Sequence, residues 1–135
     1  MGMLLDIIID FFVNAVLPDT YESFSRAKPA TGATKIAAFD AGEGSLITGQ
    51  VVEARLKGHG KTKALVIDPD AVFLVALTDR PSRGAFELSS LATIAGRLYA
   101  IPSVVYKATE AMCKPIRGQK RPTKEDFDRV AAFIR

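Results

Sequence analysis

The stretch VVEARLKGHGKTKALVIDPDAVFLVALT, residues 51–78, decides the fold. Val52, Ala54 and Leu56 alternate with Glu53, Arg55 and Lys57, which is the period of a strand with one wet face. Gly58, His59, Gly60 and Lys61 then supply a turn. Residues 63–68 contain the apolar run Ala64, Leu65, Val66 and Ile67. Asp68, Pro69, Asp70 and Ala71 have the chemistry of a type I turn with proline in its second position, and residues 72–78 return as another strand. Working upstream, residues 35–40 read as a strand, Ala41, Gly42, Glu43 and Gly44 as a turn, and residues 45–57 as one long strand. Four strands joined by short turns predict an antiparallel meander.

Helices are expected on either side of this sheet. Leu88, Leu91, Ala95 and Leu98 fall at helical spacing with Ser90, Thr93 and Arg97 opposite them, which predicts a helix near 86–100 that Pro102 ends. Residues 103–107 suit a fifth strand, but Thr109 to Cys113 suit a helix equally, so this piece stays open between the two. At the other end Thr123 is placed to cap a helix. Glu125, Asp126 and Asp128 favour its positive pole, and Phe127, Val130, Ala131 and Ile134 form its apolar stripe. Residues 3–17 are the most apolar stretch. On a helix, Asp6, Asp10 and Asn14 would form one narrow polar stripe, the pattern of a core or subunit-interface helix, with a membrane-surface helix as the alternative. Pro18 stops it, Asp19 and Glu22 form a capping box opening a short second helix with Tyr21 and Phe24 as its contacts, and residues 27–34 are a loop. The expected fold is therefore α+β. A four- to five-stranded, mainly antiparallel meander packs with an N-terminal apolar helix, a helix near 86–100 and a C-terminal amphipathic helix. One domain is expected over 1–135, with a helical segment at 1–26, a β-rich core with its helix at 35–113, a basic loop at 114–122 and a helix at 123–135.

Composition excludes several classes of chemistry. The chain of 135 residues is 48% hydrophobic, which suits a globular domain able to bury a core without disulfides. With one cysteine, Cys113, there is no internal disulfide and no thiolate cluster, and a reducing, cytoplasmic setting is expected. With one histidine, His59, any Ser-His-Asp or Cys-His centre would have to be built on that residue. The apolar N-terminal run lacks the positive region and small-residue cleavage site of a signal peptide, and it is too short to span a bilayer.

Charge is uneven. Residues 1–50 hold three basic and six acidic side chains, and residues 51–135 hold fifteen and nine, so the two parts carry −3 and +6. The positive focus is Lys114, Arg117, Lys120, Arg121 and Lys124, five cations with no intervening acid in a segment containing proline and glycine. Such a loop would neutralise phosphates in a salt-sensitive, sequence-tolerant way, with Lys57, Lys61 and Lys63 extending the patch if the two loops share a side. A solvated connector beside an acidic helix accounts for the same residues. Tyr99 and Tyr106, just before the loop, would serve either as stacking platforms for bases or as packing groups.

Other motifs carry less. Gly60, Lys61 and Thr62 end like a phosphate-binding loop, but Arg55 occupies the position of its first glycine and a strand follows where a helix is needed. Asp68 and Asp70 at the end of an apolar strand would suit Mg²⁺ or Mn²⁺, with Lys61 or Lys63 holding phosphate, although Asp-Pro-Asp is also ordinary turn chemistry. Glu87, Ser89 and Ser90 suit a helix cap. No cofactor motif is present, so no cofactor is expected. The leading expectation is a non-catalytic binding module for nucleic acid or another polyanion. The alternatives are a self-assembling protein that forms homo-oligomers through the N-terminal helix, and a small metal-dependent phosphodiesterase using Asp68 and Asp70.

Overall fold

A computed structural model describes residues 26–30, 34–94 and 96–134. The helices expected within residues 1–26 lie outside the described residues, apart from Arg26 itself. Seven strands form one sheet: β1 (Lys28–Pro29), β2 (Val51–Leu56), β3 (Gly60–Asp68), β4 (Phe73–Thr78), β5 (Phe86–Glu87), β6 (Tyr99–Lys107) and β7 (Lys114–Pro115). Their order is β1-β6-β4-β3-β2-β7, with β5 added on β6, and every pairing between them is antiparallel. One helix, α1 (Lys124–Ile134), follows. The architecture is α+β-like, with seven strands where four to five were expected.

The β2-β3-β4 meander forms as the alternation requires. Leu56 faces Gly60 across the first hairpin, where His59 N–H donates to the Leu56 carbonyl at 2.9 Å. Gly58 at φ +90° meets no atom within 4 Å of a built Cβ, so the turn needs glycine there for its backbone and not for space. The sheet also closes on itself. Ala27 makes a parallel bridge to Leu56, donating N–H to the Arg55 carbonyl at 2.7 Å and accepting from Lys57 N–H at 2.9 Å. The outer edge of β2 is thus shared, half covered by β7 and half by Ala27. Closure removes an open edge that would otherwise invite pairing with another chain.

Because strand side chains alternate between faces, closure makes two cores. Val52, Ala54, Leu56, Ala64, Val66, Leu74, Ala76 and Tyr106 fill the interior, with Cys113 and Leu46 in the same cluster. Val51, Leu65, Ile67, Phe73, Val75 and Leu77 face outward and are covered by Phe127, Val130 and Ala131 of α1 together with Leu88 and Leu91. The stripe expected on this helix is the one it buries. Thr123 Oγ1 accepts Asp126 N–H at 3.3 Å, which fixes the helix start.

Three expectations are corrected. No α-helix forms among the described residues of 86–100: β5 pairs with Ala100 and Tyr99, a 3₁₀ turn spans Ser89–Leu91, and Thr93 and Gly96 exchange backbone hydrogen bonds. Leu88 and Leu91 are buried as their spacing suggested, but sheet pairing at 86–87 and 99–100 takes the backbone bonds that a helix would need. Residues 35–40 and 45–50 are irregular, since Asp40, Gly42 and Gly49 have φ of +68°, +132° and +94° and turn the chain away from a ladder. The open piece at 103–113 is divided, with strand through Lys107 and a 3₁₀ turn at Glu110–Met112. Finally, the segment expected to be a loop at 27–34 supplies both Ala27 and β1.

Candidate functional site

The outer surface is partitioned: α1 and the 88–91 turn cover an apolar part, and the part around the closing seam is polar and predominantly cationic. At the seam two short sequences of the same kind lie side by side. Arg26-Ala27-Lys28 runs parallel to Arg55-Leu56-Lys57, and the central residues Ala27 and Leu56 are fully buried. Alternation therefore sends Arg26, Lys28, Arg55 and Lys57 to the outer face. Further cations join them through sheet register, since Arg55 faces Lys61 across β2·β3 and Lys28 faces Lys107 across β1·β6.

One row away, Lys114 of β7, Glu53 of β2 and Lys63 of β3 are successive cross-strand partners on one face. Lys63 Nζ donates to Gln119 Oε1 at 2.8 Å. This contact puts the basic segment beside the β2–β3 hairpin, the condition under which Lys61 and Lys63 extend its patch. Glu53 is the acid within it and pairs with Lys61 at 3.7 Å. Both partners are well exposed, so this pair adds little to stability.

The five loop cations are not equivalent. Arg121 is engaged by the Asp40 carboxylate, and its guanidinium lies 5.8 Å from the centre of the Phe39 ring. Lys124 pairs with Asp128 one turn along α1 at 2.9 Å. Lys114, Arg117 and Lys120 are exposed and have no ion pair among the described residues.

Tyr106 and the motif residues find other uses. Tyr106 is buried, donates its hydroxyl to the Lys57 carbonyl at 3.3 Å and meets the His59 ring edge-on at 5.9 Å, so it secures the seam and offers no stacking face. Burial raises the Tyr106 pKa. Asp68 is fully buried and its Oδ1 accepts the Asp70 amide at 3.0 Å, whereas Asp70 is exposed. This is the hydrogen bonding of a turn. Among the described residues no three His, Cys, Asp or Glu side chains converge as metal ligands. Glu87 pairs with Arg97 at 3.6 Å, and Ser90 is bound to Asp126. Cys113 is buried, and its thiol is pushed up to about 11, by burial first and then by the Glu110 carboxylate.

Arg26, Lys28 and Lys107 were not singled out from the sequence because they lie in no basic run and Lys107 is far from the other two in the chain. The available signal was the alternation of charged and apolar residues in Arg26-Ala27-Lys28, a short stretch of the kind of alternation read in β2. No helix among the described residues is long and apolar enough to cross a membrane. Comparison with family models, with curated proteins and with solved structures found no match to this chain.

Proposed function

We propose that this chain is a non-catalytic module that binds nucleic acid or another polyanion on the cationic face spanning the seam and the basic loop. The observation that carries this reading is the side-by-side placement of Arg26-Ala27-Lys28 and Arg55-Leu56-Lys57, with Lys61 and the Lys114–Lys63 row beside them. A sheet that gathers so many like charges on one face destabilises itself modestly by repulsion, and a phosphate backbone would offset that cost while releasing counterions. Lys114, Arg117 and Lys120 extend the same face along the loop. Arg121 and Lys124 contribute less, since each already has a carboxylate partner.

Fluorescence anisotropy with a mixed-sequence single-stranded oligonucleotide, repeated from low to moderate salt, tests this function. Affinity is expected to fall log-linearly with salt. The Arg55→Ala, Lys57→Ala double variant should weaken binding at every sequence tried and make the salt slope shallower by about two phosphate contacts. Binding indifferent to salt, or undiminished in that variant and in Lys120→Ala, Arg121→Ala, would reject the reading.

A further inference from the structure

We infer that the groove over the β1–β6 pair, reaching to Phe73 of β4, is a binding site for a phosphate group carried on a small organic body. The groove has a volume of about 420 Å³, within the range of small-molecule sites. Three cations line it, Arg26, Lys28 and Lys107, and no carboxylate does so among the described residues. Lys28 and Lys107 are direct cross-strand partners. Like charges placed opposite one another weaken an antiparallel pair, and β1 is only two residues long, so the ladder has few other bonds to compensate. An oxyanion bound by both lysines would turn that repulsion into attraction to a common ligand.

Lys107 is also held ready. Lys107 Nζ donates to the Ala71 carbonyl and lies 5.7 Å from the centre of the Phe73 ring, so its position is set before any ligand arrives. Phe73 is nearly buried and, with Pro29 and Met112, gives the groove an apolar wall. Such a wall lowers the local dielectric and strengthens each charge-assisted hydrogen bond made beside it. A bare cationic surface lacks this feature. The mixed lining suits a ligand that is charged at one end and apolar at the other, as a nucleoside monophosphate is.

This site shares Arg26 and Lys28 with the face proposed for nucleic acid and rests in part on that reading, so the test separates the two. The full chain would be titrated with inorganic phosphate, with adenosine 5′-monophosphate, and with an oligonucleotide lacking terminal phosphates, following the amide signals of Lys28, Phe73 and Lys107 and the thermal midpoint. Saturable shifts at these three residues are expected with the monophosphate, more weakly with phosphate. Lys28→Met and Lys107→Met keep the aliphatic stems and remove the charge. Each should weaken the monophosphate by about tenfold or more, the loss expected for one charge-assisted hydrogen bond, while Lys28→Arg and Lys120→Met leave it close to unchanged. Without ligand, Lys28→Met should raise the midpoint, because it relieves the lysine pair. Shifts at these residues from the oligonucleotide alone, lost in Lys28→Met, would place the phosphate in a nucleic-acid backbone, overturning the small-ligand site while supporting the proposed function. No shift from any of the three ligands would overturn it, as would affinities equal in Lys28→Met, Lys107→Met and Lys120→Met.

Discussion

Ser90 and Asp126, 36 residues apart, meet at a single carboxylate oxygen: Asp126 Oδ2 accepts both the backbone N–H of Ser90, at 3.0 Å, and its hydroxyl. The same hydroxyl oxygen accepts the Thr123 amide at 3.1 Å. In a simple capping box Asp126 would reach back to the Thr123 amide itself. Here Ser90 is inserted between them, so the cap of α1 also ties the helix to the 3₁₀ turn beneath it.

Asp126→Ala should therefore destabilise the fold by about 1–3 kcal/mol, since it orphans the half-buried Ser90 amide as well as removing a charged acceptor. Ser90→Ala removes one member and should cost about 1 kcal/mol. Urea unfolding of the two variants and of their combination checks this, and the double variant should cost less than the sum of the singles because the network is shared.

Gly49→Ala should be destabilising by about 1–3 kcal/mol. Its backbone is at φ +94°, and an added Cβ would come within 2.4 Å of the Phe39 ring, which itself packs against Phe127 at 5.4 Å between ring centres. The thermal midpoint and the near-ultraviolet circular dichroism of the variant report the effect.

Alkaline pH should weaken the fold. The Cys113 thiol is raised to about 11 in the folded chain, and the Tyr106 hydroxyl is raised as well. Above the ordinary thiol value the unfolded chain loses this proton while the folded one keeps it. The unfolded state then binds fewer protons, and stability falls with pH until the folded thiol also ionises near 11. Denaturant midpoints measured at pH 8 and pH 10.5 should differ, and Cys113→Ser should reduce the difference. For the same reason a disulfide reagent at pH 8 should label native Cys113 slowly and the unfolded chain at once.

Glu53→Gln should improve polyanion binding by roughly threefold, a magnitude typical of an exposed charge interaction. Glu53 stands between Lys114 and Lys63 and also engages Lys61, so its removal frees cations without adding any. Lys114→Ala should weaken the same binding, whereas Lys124→Ala, whose ammonium is held by Asp128, should change it little. Parallel anisotropy titrations at one salt concentration separate these outcomes.

What the sequence made legible was whatever rested on near neighbours. The meander from Val51 to Thr78 and the apolar stripe of α1 followed from periods of two and of three to four residues, and both are present. The stretch 86–100 misled because Leu88, Leu91 and Leu98 suit either a helix or a chain lying across a sheet, and the deciding partner is the β6 backbone. The seam was invisible for a related reason. It depends on Ala27 meeting Leu56, and a two-residue strand containing a proline carries almost no local pattern. The candidate site shared that fate: its loop residues formed a run, but Arg26, Lys28 and Lys107 become neighbours only through pairing.

The closing pair Ala27 and Leu56 ties an early segment to the middle of the chain, while Lys107 reaches the same place from much later. During synthesis the meander can form while its rim is still unpaired, and the groove acquires its third cation only after β6 has docked. A partly made or partly unfolded copy thus lacks the grip that a finished one has. Capture of an anion by the proposed groove would then report that the circle is complete.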